Sequence, residues 1–234
     1  MSRRFLMLTV ACLTLVAGRV LMAQTDEADR VRKAASVLEE IMGAPDKAIP
    51  SSVLKKAEAI AVFPGTLKGG LGVGAHHGRG ILSVRHRDLG KWSNPAFLTL
   101  TGGSFGPQIG GEQVDIVLVV VNRSGIDKLL GNEFKIGGDA SVAAGPVGRS
   151  TEASTDIQLT AEILSYSRAK GLFAGASLQG SSIREDEDAN QRYYGRRLTN
   201  REITGVGAKT VGTSGTKTLP GLEGWFDVLA RYTK

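Results

Sequence analysis

The chain has 234 residues, 29 Lys and Arg against 23 Asp and Glu for a formal net charge of +6, and 31 glycines but only 6% aromatic residues. That length suits one large or two small domains, and because no Pro/Ser-rich or charge-run linker divides it, one is expected. So much glycine with so few aromatics argues against a helical bundle and for a sheet-rich protein with many tight turns.

The first residues read as an address. Arg3 and Arg4 precede an apolar run from Phe5 to Ala17, and Leu21-Met22-Ala23 leads to Gln24, the pattern of a secretory signal spanning residues 1–23. A retained anchor is the alternative, but the run falls short of the roughly 20 apolar residues a spanning helix needs, and Arg19 interrupts it. Cys12, the only cysteine, lies inside this segment, so the mature chain is expected to hold no thiol and no disulfide. Lipidation at Cys12 is a further option, set against by the apolar rather than polar sequence that follows. Loss of Arg3, Arg4 and Arg19 takes the formal charge from +6 to +3, and the excess lies in residues 196–234. Attraction to a polyanion must then be local.

From Asp26 to Met42 the positions Val31, Ala34, Ala35, Leu38, Ile41 and Met42 recur at three- and four-residue spacing, which predicts an amphipathic helix ending at Gly43 and Pro45. Ser51 or Ser52 is expected to cap a second, short helix with Val53, Leu54 and Ala57 on its inner side and Lys55 and Lys56 on its outer one. Short strands separated by turns follow at Ala59–Phe63, Gly70–Ala75, Gly80–Val84 and Ala96–Thr101. Asp115–Val121 is apolar without alternation and predicts a strand covered on both faces. Ile157, Leu159, Ala161 and Ile163 alternate with polar residues and predict a strand wet on one side. Ser124 is positioned to cap a helix over Gly125–Leu130, and Pro220–Tyr232 places Leu222, Trp225, Phe226 and Leu229 near one helical face. The expected class is α+β: a curved or barrel-like antiparallel β-sheet with an N-terminal amphipathic helix and short flanking helices.

Several chemical readings fail on spacing. Gly102-Gly103-Ser104-Phe105-Gly106 has the form of a nucleophile elbow, but Pro107, Gly110 and Gly111 follow instead of a helix, and no histidine lies beyond His86 to complete a hydrolase order. The plainer reading is a glycine turn between strands. His76 and His77 are adjacent on an extended segment and point to opposite faces, so they do not share a metal. His77 and Arg79, with Arg85 and Arg87, decorate an exposed hairpin. The glycines around Lys68 lack a phosphate-loop ending. Glu185, Asp186, Glu187 and Asp188 lack calcium-loop spacing and read as a solvated acidic face. No catalytic set, metal or cofactor is expected, and with no basic-aromatic interleaving neither is nucleic acid.

What remains is an ordered series of blocks. They are Ile49-Pro50 with Leu54-Lys55-Lys56-Ala57, then Ala61-Val62-Phe63-Pro64-Gly65, then Trp92-Ser93-Asn94-Pro95-Ala96-Phe97, then Gly102 to Gly110. Asp115 to Asn122, Ala143 to Arg149, Tyr166 to Gly175 and Tyr193-Tyr194-Gly195 complete the series. In this order they resemble the SYLF domain, a lipid-binding module of exported bacterial proteins and of eukaryotic endocytic and actin-patch proteins. The resemblance covers roughly residues 26–195, and it implies a single domain over 24–234 with its best-matched core at 49–195 and a helical tail at 196–234. It implies an exported, periplasmic or secreted, non-enzymatic protein that binds anionic phospholipid or a membrane surface, phosphoinositide-type in eukaryotic relatives. Lys55, Lys56 and Lys68 match the basic N-terminal portion, and Arg32 and Lys33 join them from the first helix, whose apolar flank would add burial in the headgroup region. A protein-interaction module with the actin binding of eukaryotic relatives is the alternative, its partner unknown, and a serine hydrolase at Ser104 comes third.

Overall fold

The computed structural model describes residues 26–44, 49–131, 133–137, 142–147, 161–169, 172–175, 178, 180–207 and 219–234. The signal at 1–23, Cys12, Ile157 and Leu159 lie outside them. Helix α1 covers residues 26–42 as its periodicity predicts, and α2 covers Ser51–Lys56. Pro50, rather than a serine, stands at the N-cap of α2, with no side-chain cap bond.

Beyond α2 the predicted short strands fuse. A single strand β1 runs Ala59–His86, a 3₁₀ turn covers Arg87–Leu89, β2 is Lys91–Trp92, and β3 runs Ala96–Val120 antiparallel to β1. Pro64-Gly65 was expected to turn the chain. Instead the pair sits in a register shift between Phe63 and Thr66, where a residue without an N–H is tolerated. Gly65 there takes φ +57°, and its N–H donates to the Asp115 carboxylate at 2.8 Å in place of a ladder bond. Gly102–Gly106 likewise lies within β3, so it is neither a turn nor an elbow feeding a helix.

The β1–β3 ribbon curls until it meets its own beginning. Glu58, just before β1, donates its N–H to the Val120 carbonyl at 2.8 Å and accepts from the Arg85 N–H at 2.7 Å, so one peptide joins the end of β3 to the end of β1. Glycine makes the approach possible: a Cβ on Gly80 would lie 2.4 Å from the Val62 carbonyl oxygen and 2.5 Å from the Phe63 ring.

Further strands extend the sheet: β4 (Glu133–Lys135), β5 (Val142–Ala144), β6 (Ile163–Ala169), β7 (Leu172–Gly175) and β8 (Ser181–Glu185). The path is β2-β1-β3-β6-β5, with β7 on β6, and β8 bridging β3 to β4. The sheet is therefore mixed rather than antiparallel throughout, because β5 pairs in parallel with β6. In the described part of the run expected to alternate, Ala161 and Ile163 are buried and Glu162 between them is half-buried, while beyond it Leu164, Ser165 and Tyr166 are all buried. Both faces of this strand are covered.

Of the run Asp115–Val121 expected to be covered on both faces, residues 116–120 are buried and Asp115 and Val121 at its ends are half-buried, and the run separates two cores. Ile60, Val62, Val117, Val119 and Leu164 face a layer containing α1, α2 and the last helix, α6 (Leu222–Tyr232). Ala61, Phe63, Ile116, Leu118 and Val120 face the other side, with Ile126 and Leu129 of α3 (Arg123–Leu129) and Phe134 of β4. Asn122, rather than Ser124, caps α3 by accepting from the Ser124 N–H. Trp225 of α6 is fully buried and donates to the Ser83 hydroxyl at 2.9 Å.

One helix lies outside every helical expectation, α4 (Glu187–Tyr194), while α5 (Asn200–Thr204) falls in the tail expected to be helical. Part of the presumed solvated acidic face is structural. Asp186 caps α4 and accepts from Arg30 of α1 at 3.0 Å, while Glu187 and Asp188 are exposed. Asn190 Oδ1 accepts the Phe97 N–H at 3.0 Å, and its Nδ2 donates to Asn200 at 2.8 Å, so a buried amide finishes the ladder where β3 begins.

Candidate functional site

The basic residues singled out in the sequence fall into three neighbourhoods. Arg32 and Lys33 lie on the exposed face of α1, where Arg32 pairs with Asp29 and borders a groove against Gly221 and Gly224 of the α6 region. The apolar face of α1 is unavailable for lipid, because Val31, Ala34, Leu38 and Ile41 are buried in the first core. That is a correction to the expected headgroup contact: the stripe that marks a membrane-surface helix equally marks one packed on a sheet.

Lys68 lies in the bend of the β1–β3 ribbon, opposite Glu112, and lines a cavity of about 490 Å³ with Leu67, His76 and His77. Leu67 is 55% exposed there. His76 is buried and its Nε2 shares a hydrogen bond of 2.9 Å with the Ser181 hydroxyl, whereas His77 is exposed, so the two histidines do diverge as expected. Burial, and then the charge of Lys68, hold His76 below its ordinary pKa and keep it neutral at pH 7.

Lys55 and Lys56 are exposed at the C-terminal end of α2 and contribute no wall to the Lys68 cavity. Nine residues of extended chain from Ala59 to Lys68 amount to about 30 Å of contour. The structure therefore divides the three lysines between two places.

What it adds beside Lys55 and Lys56 is a pair of arginines. Arg85 lies next to the last residue of β1, and Arg87 opens the 3₁₀ turn that follows. Arg85 donates to the Lys55 carbonyl and Arg87 to the Lys56 carbonyl, each at 3.1 Å. Guanidinium groups on the last carbonyls of a helix satisfy acceptors that the helix leaves open and meet the negative end of its dipole. The Arg85 guanidinium also sits 5.8 Å from the Trp92 ring centroid, and Arg87 Nε lies 2.6 Å from the Glu58 carboxylate. Leu89, two residues beyond Arg87, is 55% exposed. Four cations and a solvent-facing leucine thus gather where α2 meets the closing seam. The closeness of Arg85 and Arg87 in sequence is the one signal that they share a neighbourhood. That this neighbourhood abuts α2 depends on the curl.

Among the described residues no helix is long and apolar enough to cross a membrane, and no group of three or more His, Cys, Asp or Glu is placed to hold a metal ion. A family model described as Ysc84, Las17-binding protein actin regulator, matches residues 101–221, just over half of the chain. The chain belongs to the Ysc84/SYLF family. It is 34% identical over 190 residues to Protein YSC84 of Saccharomyces cerevisiae, covering 79% of this chain and 40% of that protein. It is 36% identical over 169 residues to SH3 domain-containing YSC84-like protein 1 of Rattus norvegicus, covering 70% of this chain and 49% of that protein. The chain spans half or less of the length of these relatives. Lys55, Lys56, Arg85 and Arg87 precede the segment that the family model matches.

Proposed function

We propose that this Ysc84/SYLF protein is an exported, non-enzymatic protein that docks on anionic phospholipid through Lys55, Lys56 and Arg85 on the face they share with Arg87, with Leu89 entering the headgroup layer. The observation that carries the reading is the convergence of four cations around the α2 terminus beside an exposed leucine. Each cation near an anionic surface contributes about 1 kcal/mol at physiological salt, enough together for reversible attachment. The non-enzymatic part is supported by the Ser104 segment, which continues as strand where an elbow requires a helix. Export rests on the pattern at Arg3 to Ala23. Lys68 and Leu67 form a second basic-apolar neighbourhood that a curved bilayer or an extended headgroup would reach separately.

Vesicle flotation tests the proposal. The mature protein is expected to float with phosphatidylcholine vesicles containing 30% phosphatidylserine and not with phosphatidylcholine alone, and Lys55→Glu/Lys56→Glu is expected to abolish flotation. Equal recovery from both vesicle types, or no effect of the double reversal, overturns it.

The family description favours a second reading, a protein-interaction module acting on actin or its regulators. Its test is co-sedimentation with actin filaments; recovery in the pellet at near-stoichiometric levels, indifferent to the Lys55/Lys56 reversal, would place the partner surface elsewhere on the domain.

A further inference from the structure

The four-cation surface contains its own acid. Glu58 is anchored by its main chain, which donates to Val120 and accepts from Arg85 at the seam, so its Cα keeps its place beside Arg87 while the sheet is closed. Its side chain is only 16% exposed, against 46% for Arg87, and Arg87 Nε is held at 2.6 Å. Lys55 and Lys56 are exposed beside this pair, and Arg85 spends its guanidinium on a carbonyl and a ring, neither of which cancels its charge. Asp88, exposed on the 3₁₀ turn, is the other nearby acid in sequence, but it has no such anchoring.

We propose that Glu58 is a built-in counter-ion that withholds Arg87 from an anionic surface, so that this face engages only surfaces of higher charge density than it would with Arg87 released. The proposal rests on the phospholipid reading above and concerns the threshold of that same site. A short charge-assisted pair whose acid is sheltered and whose backbone is locked is not readily exchanged for a loosely held headgroup. An arginine freed of that acid would add one more contact, which at about 1 kcal/mol corresponds to about fivefold in affinity.

The experiment is a titration of full-length mature protein against phosphatidylcholine vesicles carrying 0 to 40% phosphatidylserine. Glu58→Gln is expected to bind about fivefold more tightly at 20% phosphatidylserine and to reach half-saturation at a lower anionic fraction. Glu133→Gln, which removes an equal charge from the Arg184 pair on β4, is the control and is expected to change affinity less than twofold. Glu58→Gln/Arg87→Gln removes the pair as a unit and is expected to bind like wild type within twofold. That variant carries the test if the single one misfolds, because it leaves neither charge of the pair without its partner. Equal binding by Glu58→Gln and wild type, a gain from Glu133→Gln as large as that from Glu58→Gln, or a severalfold loss in the double variant overturns the counter-ion role. If the Lys55→Glu/Lys56→Glu variant binds as wild type does, the phospholipid reading itself falls; if that variant is impaired and Glu58→Gln is neutral, only the role of Glu58 falls.

Discussion

Replacing Gly80 by alanine adds one carbon at the place where β1 crosses its own start. The new Cβ would lie 2.4 Å from the Val62 carbonyl oxygen and 2.5 and 2.8 Å from two Phe63 ring atoms, where ordinary contacts begin near 3.4 Å. Phe63 is fully buried, and Val62 is held in register with Val117, so relief requires about 1 Å of strand movement against a packed core. Overpacking of this kind costs about 1–3 kcal/mol; with a backbone carbonyl as the closest atom, the upper end, about 3 kcal/mol, is expected. For a chain of this size each kcal/mol shifts Tm by about 2–4 °C, so the variant should melt about 6–12 °C lower. The matched control is Gly111→Ala on β3, whose Cβ would have nothing within 4 Å and which should be neutral or slightly stabilising. Urea unfolding followed by fluorescence of Trp92 and Trp225 reports both. A Gly80→Ala protein as stable as wild type would refute the self-crossing of β1 and, with it, the seam at Glu58.

Asn190→Ala should cost about 2–3 kcal/mol in urea unfolding, because the Phe97 N–H loses its acceptor and the buried Asn200 Oδ1 loses the donor that Asn190 supplies. The His76 imidazole is harder to protonate in the folded chain than in the unfolded one, so its contribution to stability is whole above about pH 6.5 and falls away as the pH drops from there toward its lower folded-state pKa. Thermal midpoints of wild type and His76→Gln measured between pH 7.5 and 5 should accordingly converge on acidification. Trp225→Phe should lose about 1–2 kcal/mol from the missing bond to Ser83 and the space left behind, with near-ultraviolet circular dichroism confirming that the helix still docks.

Local signals survived into the structure where one neighbour decided the outcome. The period of α1, the unbroken apolar run at 116–120 and the divergence of His76 and His77 are each settled by a single element and its immediate cover. The strand boundaries were misread because Pro64, Gly65 and the later glycines are turn-formers in isolation, whereas here they are spent on a bulge and on close passage of one strand over another. α4 was hidden for a related reason: Asp186 and Asn190, like Asn200 of α5, look like surface polar residues, yet they complete the backbone bonding at the start of β3. The candidate surface was half legible, since Lys55 and Lys56 were readable on α2, while their alliance with Arg85 and Arg87 depends on a curl that no short window of sequence contains.

Joining Val120 to Arg85 through Glu58 has a kinetic consequence. Neither half of the ribbon encloses the second core until contacts some sixty residues apart are made, so loop entropy must be met before burial rewards it, and slow refolding in the millisecond-to-second range or beyond follows. Until that hoop shuts, the chain carries two long strands with open edges, and it is this interval, more than the finished molecule, that should be prone to aggregation and be the natural place for a chaperone to act.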